Sequence, residues 1–262
     1  MRSEVKNAAA VLHSESRGEG PTVVLLHGLF GSASNLLTLS RHLEPNYRVV
    51  RMDLRNHGKS PHRDYMDIPS MAEDVAKTLG ELAVQSAAFL GHSLGGKVAM
   101  QLAASQPNLV EKLVVADIAP VRYGRGHDAI IEGLLAMDLR ALRNREHADE
   151  QLQAAVPELP IRQFLLKNLV RDGEGWAWRM NLSVIADCYD LLRDAPAAEP
   201  YAGPTLFIRG ENSRYIIDEN RVGIMKQFPD SRIETIAGTG HWLHAEKPRE
   251  FNALVSGFLA ET

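Results

Sequence analysis

One cysteine, Cys188, stands in 262 residues, which excludes an internal disulfide framework and any cysteine-rich metal site. An excess of one charge is missing as well. The formal net charge of −4 offers no basic footprint for nucleic acid or an anionic membrane surface. Runs such as Arg140 to Arg145 are interrupted by apolar residues and read as a solvated helix face. No long apolar segment follows Met1-Arg2-Ser3-Glu4-Val5-Lys6-Asn7, so neither a signal peptide nor a transmembrane span is expected, and the expected compartment is the cytoplasm. Internal repeats, low-complexity tracts and flexible interdomain linkers are absent too. No group of His, Cys or carboxylate residues has metal-ligand spacing, and Gly124-Arg125-Gly126 is too short for a phosphate loop, so neither metal nor cofactor is expected.

What remains is 45% hydrophobic and 24% charged, the balance of a soluble globular protein. Its length suits one large α/β domain, or a core with an inserted subdomain. Thr22 to Leu26 is an apolar run without alternation, as in a strand covered on both faces. Further strands are expected at Ala8 to Ser14, Tyr47 to Met52, Ser86 to Leu90, Lys112 to Ala116, Thr205 to Arg209 and Arg232 to Ile236. Between them fall helical patterns at Ser34 to Leu43, Pro69 to Leu82, Gly95 to Gln106, Asp218 to Phe228 and Arg249 to Leu259. That alternation implies a parallel sheet wound on both sides by right-handed crossovers. From Val121 to Ala202 the strand signal largely disappears. Helices are expected there at His127 to Met137, Asp138 to Arg145, Ala148 to Val156, Ile161 to Val170 and Asn181 to Leu192. Residues 1–120 and 203–262 thus read as the core, with 121–202 as a helical cap inserted over the carboxyl ends of the strands, where open α/β sheets bind ligands.

The chemistry centres on Gly91-His92-Ser93-Leu94-Gly95, a G-x-S-x-G pattern lying between an apolar run and a helical one. Such a turn forces the serine into a strained backbone, and the flanking glycines let strand and helix approach. A serine hydroxyl is a poor nucleophile at neutral pH and needs a base, an orienter for the base and donors for the oxyanion. His241, in Gly238-Thr239-Gly240-His241-Trp242 after the last strand, is the candidate base, ahead of His57, His92 and His244.

For the acid, most proteins of this architecture use the strand that follows the cap. That place here reads Gly210-Glu211-Asn212-Ser213, with serine where an aspartate often sits. Asp117 ends the strand after the elbow unit and keeps the order Ser…Asp…His, so it is the candidate acid, with Glu211 and Asp218 as alternatives. The expected oxyanion donors are the backbone amides of Leu94 and Leu29, with Phe30 a further candidate. Asp53-Leu54-Arg55-Asn56-His57-Gly58-Lys59-Ser60 reads as structural, its aspartate and arginine pinning loops. Phe30, Tyr123, Trp176, Trp178, Met180 and Trp242 are candidate lining for an apolar substrate pocket.

The motifs His27-Gly28-Leu29-Phe30-Gly31-Ser32, Asp53-x-Arg55-Asn56-His57-Gly58-x-Ser60, Gly91-His92-Ser93-x-Gly95-Gly96-Lys97, Asp117-Ile118-Ala119-Pro120-Val121 and Gly240-His241-Trp242 together resemble the α/β-hydrolase superfamily along nearly the full chain. Within it they look like a group of small carboxylesterases that includes bacterial cytoplasmic esterases. The resemblance implies an eight-stranded, mostly parallel sheet with one early antiparallel strand, helices on both faces and a helical cap, and it implies Asp117 as the triad acid. The implied activity is serine-dependent hydrolysis of small to medium, largely apolar acyl esters or thioesters, with a small-molecule ester as the partner. The competing reading is a C–C bond hydrolase, whose substrate carboxylate Arg122, Arg125 or Arg179 could hold. A ligand-binding scaffold without turnover is the reading outside the enzymes. Oligomeric state has no signature in the sequence.

Overall fold

The computed structural model describes residues 8–261; Met1 to Asn7, read above for the lack of a signal segment, and Thr262 lie outside the described residues. The chain runs through β1 (Ser14–Arg17), β2 (Thr22–Leu26), α1 (Leu37–Leu43), β3 (Arg48–Met52), α2 (Ile68–Glu81), β4 (Ala87–His92), α3 (Leu94–Ser105) and β5 (Val110–Ala116). An insertion follows, with helices α4 (Asp128–Ala136), α5 (Arg145–Leu152) and α6 (Leu159–Leu165). It continues with strands β6 (Leu169–Asp172) and β7 (Gly175–Trp178), then helices α7 (Leu182–Asp187) and α8 (Tyr189–Leu192). The alternation resumes with β8 (Thr205–Gly210), α9 (Arg221–Gln227), β9 (Ser231–Ile236), α10 (Leu243–Glu246) and α11 (Pro248–Ala260).

The main sheet has the order β1-β3-β2-β4-β5-β8-β9. β1 pairs antiparallel with β3, and every other pairing is parallel. The central strands are apolar throughout because both faces are covered. Val24, Phe89 and Val115 enter one buried cluster, with α2, α3 and the insertion, whereas Leu25, Leu90 and Val114 enter the other, with α1 and α11. Each such fully buried side chain contributes about 1.5–3 kcal/mol relative to exposure. From β3 the chain returns past β2 to place β4 on its other side. The carboxyl ends of β2 and β4 therefore flank the point where the strand order reverses, the usual ligand crevice of such sheets.

Three sequence expectations are corrected. The sheet holds seven strands among the described residues rather than eight. Ala8 to Ser14 is not the first strand, because its amides bond to α2 side chains instead: Ala10 to Asp74 Oδ1 at 2.6 Å and Leu12 to Thr78 Oγ1 at 2.9 Å. The insertion is not all helix. Asp138 Oδ1 accepts from the Arg140 amide at 3.0 Å, a local bond that competes with a helix over Asp138 to Arg145. Leu169 to Asp172 pairs antiparallel with Gly175 to Trp178 across a turn in which Gly173 has φ +58°.

The Asp53 to Ser60 loop is structural, as expected. Asp53 accepts from the amides of Ala33 (2.7 Å) and Lys59 (2.9 Å). Arg55 makes a two-point contact with Asp74 at 2.5 and 2.6 Å, both side chains fully buried, and also donates to the carbonyls of Tyr65 and Ser70. Four of its five donors being so matched offsets much of the cost of desolvating the pair. No helix among the described residues is long and apolar enough to cross a membrane.

Candidate active site

Ser93 sits between β4 and α3 with φ 52° and ψ −119°, a strained conformation for a residue with a side chain. The strain is held in place by the packing around it. Its amide donates to the Ala116 carbonyl at 2.9 Å, and a Cβ on Gly91 would overlap the Gly95 carbonyl. Gly95 in turn lies against the backbone of Leu26 and His27, so β2, β4 and α3 meet too closely for any side chain there. The hydroxyl is thereby presented at the sheet's carboxyl edge, partly exposed, at the mouth of a helix whose first amides have no partner within the helix.

Asp117 also has positive φ, at 53°, and is fully buried. Its Oδ2 accepts from His241 Nδ1 at 2.7 Å and from the Ser213 hydroxyl, and its Oδ1 accepts from the Gly210 amide at 3.1 Å. The two alternative acids are engaged elsewhere. Glu211 accepts from the Gly238 amide at 2.7 Å, and Asp218 pairs with Arg209 and Arg221.

His241 is positioned from several sides. Its ring stacks on Tyr215 with centroids 4.0 Å apart, and its carbonyl accepts from His92 Nε2 at 2.9 Å. The amides on either side, Gly240 and Trp242, both donate to the Glu246 carboxylate. Burial lowers the His92 pKa well below its ordinary value and that of His244 to about 4, with the neighbouring histidines adding to the effect. Both thus stay neutral as packing neighbours of His241 rather than substitutes for it.

The expected donor loop carries one correction. Phe30, at φ 60°, donates its amide to His57 Nε2 at 3.2 Å, so that amide is committed and does not face the nucleophile as an oxyanion donor. His57 can accept because its Nδ1 donates to the Arg55 carbonyl at 2.9 Å, and because burial lowers its pKa to about 3. His27 is arranged similarly, donating to the Gly28 carbonyl and accepting from the Leu54 amide at 3.0 Å. Leu29 and Leu94 both line a cavity with Ser93.

Two cavities meet at Ser93, sharing it with Leu29, Gly126, His127 and Tyr215. The smaller, about 270 Å³, includes His241 together with Phe30, Phe164 and Trp242. The larger, about 550 Å³, includes Leu94, Lys97, Tyr123 and Tyr189. Of the expected pocket residues, Phe30, Trp242 and Tyr123 line these cavities, but Trp176, Trp178 and Met180 line neither. The cause is the hairpin. A strand puts Trp176 and Trp178 on one face, half-buried against the buried cluster that the insertion shares with the sheet, with Arg171 4.0 Å over the Trp176 ring. Trp178 and Met180 border a separate depression with Leu135 and His62.

Sequence reasoning missed Tyr215, His127, Phe164 and Lys97 as site residues. Tyr215 could have been found from its place two residues beyond Ser213 at the end of β8. The residues from the insertion could not, because nothing local fixes which of its faces turns toward Ser93. The insertion is tied to the core by Asn168 Nδ2 donating to the Phe30 carbonyl at 2.7 Å and by the Asn181 amide donating to the Asn56 carbonyl at 2.9 Å.

A parallel sheet with a strained serine after its central strand, and an aspartate and histidine converging from the ends of two later strands, is the architecture of the α/β hydrolases. The chain belongs to that family: the alpha/beta hydrolase family matches residues 23–254. It is 43% identical over 249 residues to the sn-1-specific diacylglycerol lipase ABHD11 of Xenopus laevis, covering 92% of this chain and 80% of that one. It is 40% identical over 236 residues to esterase YbfF of Escherichia coli, covering 90% and 91%. A solved structure of a marine microorganism esterase superposes with a TM-score of 0.93 at 35% identity, covering 95% of this chain and all of that one.

Proposed function

We propose that this carboxylic ester hydrolase works through Ser93, His241 and Asp117, by way of a covalent acyl-enzyme. The observation that carries the reading is the 2.7 Å contact between His241 Nδ1 and a fully buried Asp117 carboxylate, with the histidine lining the same cavity as Ser93. Asp117 accepts a hydrogen bond from Nδ1–H, which keeps that proton on Nδ1 and leaves Nε2 as the basic nitrogen. His241 takes the proton of Ser93 Oγ as the oxygen attacks the ester carbonyl. The Leu29 and Leu94 amides stabilise the oxyanion, a contribution of about 10²–10³ in rate per donor in comparable sites. His241 then protonates the departing alcohol or thiol. Water attacks the acyl-enzyme with His241 again as base, releasing the acid and regenerating Ser93.

Residues 121–202 act as the cap that closes this site. The substrates are small to medium esters and thioesters with an apolar arm that fills the smaller cavity, whose Phe30, Phe164 and Trp242 offer it hydrocarbon rather than water. The relatives named as esterase and lipase support the reaction class.

The test is Ser93→Ala assayed with p-nitrophenyl butyrate, beside labelling of the parent by a fluorophosphonate probe. The expected result is a loss of about 10⁶ in kcat and labelling at Ser93 alone. Hydrolysis by Ser93→Ala at the parent rate would overturn the assignment.

A further inference from the structure

The two cavities at Ser93 differ in charge. The smaller is bordered by apolar side chains and by histidines held neutral through burial, His127 and His244 both with pKa values lowered to about 4. The larger is bordered by four cations, Lys97, Arg125, Arg193 and Arg214, and by no carboxylate. The whole chain, by contrast, carries a formal charge of −4.

Two of those cations are neutralised nearby. Arg125 pairs with Asp128 and Asp190, and Arg193 pairs with Asp190. The other two are not. Arg214 has no ion-pair partner within 4.0 Å among the described residues and lies exposed at the cavity wall, just before Tyr215. Lys97 is only 2% exposed, directly after Gly96 in the first turn of α3, yet it also lacks a carboxylate partner within 4.0 Å among the described residues. Its ammonium donates to the carbonyls of Arg193 (2.7 Å) and Asp194 (2.6 Å), while the Asp194 carboxylate pairs with Arg122. The Lys97 Nζ also lies 4.9 Å from the centroid of the Tyr123 ring on the same cavity wall, a cation–π contact that leaves the charge without a carboxylate. Burial lowers the lysine's pKa to about 7, with the Asp194 carboxylate pulling the other way and Arg122 and Arg193 adding to the fall.

A buried ammonium without a paired carboxylate is costly, and the solvent-facing Arg214 guanidinium lining the same cavity is a fork suited to carboxylate or phosphate oxygens. We infer that the larger cavity is an anion-accepting subsite in which Lys97 and Arg214 receive an anionic group on the substrate. The preferred substrate is therefore an ester or thioester that is apolar on one side of the scissile bond and anionic on the other. This rests on the esterase reading above and adds the substrate class to it. Arg122 and Arg179, considered from the sequence for such a role, do not supply it. Arg122 is paired with Asp194, and Arg179 borders a groove beside Asp53 and Lys59.

The experiment compares three chromogenic esters on the intact protein: p-nitrophenyl butyrate, the mono-p-nitrophenyl ester of glutaric acid, and 3-carboxy-4-nitrophenyl butyrate. The second carries its carboxylate on the acyl side and the third on the leaving side. The parent is expected to prefer one of the charged esters in kcat/KM, and to lose that preference as salt is raised. Arg214→Gln is expected to lower the charged-to-neutral ratio of kcat/KM about tenfold, mainly through KM, with Arg214→Lys recovering part of it. Which charged ester responds identifies the arm that occupies the subsite. An unchanged ratio in Arg214→Gln for both charged esters, with turnover still dependent on Ser93, would overturn the subsite and leave the esterase reading standing. Turnover independent of Ser93 would instead overturn the reading beneath it.

Discussion

The Ser213 hydroxyl donates to Oδ2 of Asp117, the same oxygen that receives His241 Nδ1. A serine just after β8, where related architectures often place the acid, here donates to Asp117, the proposed acid that follows β5. The two positions lie side by side, so the acid could be moved from one to the other. Asp117→Asn is expected to lower kcat by about 10⁴, because an amide can present the wrong tautomeric partner to His241. Adding Ser213→Asp to that variant is expected to recover at least about tenfold, since a carboxylate returns within reach of the imidazole. Ser213→Asp alone sets two carboxylates against each other and is expected to be slower than the parent. Steady-state kcat on p-nitrophenyl butyrate reads all three. A double variant no faster than Asp117→Asn would show that position 213 does not reach His241.

The Phe30 amide and His57 Nε2 hold the loop that carries Leu29, the proposed oxyanion donor. His57→Ala leaves that buried amide without an acceptor, at a cost of about 1–3 kcal/mol in stability. It also frees the loop, and kcat is expected to fall about 10–100-fold with KM moving less. His57→Gln, which can restore an acceptor, is expected to retain more of both. Urea unfolding and steady-state kinetics on the pair decide this. Equal kcat in His57→Ala and the parent would disconnect the loop from the chemistry.

Buried histidines make stability depend on pH in a definite direction. His27, His57 and His92 are buried and have pKa values below the ordinary value of 6.5, with desolvation as the largest cause in each and His57 lowered to about 3. The folded chain therefore keeps them neutral where the unfolded chain has already taken up protons. Their contribution is complete above about pH 6.5 and is lost as pH falls below it, for His57 down to about 3, each histidine adding a slope of about 1.4 kcal/mol per pH unit. Urea midpoints measured at successive pH values should drop steeply through that window. A flat profile from pH 7 to 5 would contradict neutral, buried imidazoles at these three positions.

The sequence by itself determined the strand–helix alternation, the elbow at Ser93, the structural nature of the Asp53 to Ser60 loop and the residues expected at the ends of β2, β4, β5 and β9. These are local properties. Apolar runs report burial on both sheet faces, and glycines report close backbone approach, both written at fixed spacing along the chain. The insertion was less legible because its short elements are stabilised by contacts rather than periodicity. The hairpin at Leu169 to Trp178 begins within the last residues of the helix expected over Ile161 to Val170, and it carries Trp176 and Trp178 away from the cavities. Tertiary structure alone decided which amide was free, since Phe30 is committed by His57, which lies 27 residues further along the chain. It alone also separated the paired cations from the unpaired ones at Lys97 and Arg214, because a charge's partners are set by through-space distance. And it joined Asp117 to His241: the residue at 213 turned from a missing aspartate into a donor for Asp117 only when β5 and β8 were seen to be neighbours.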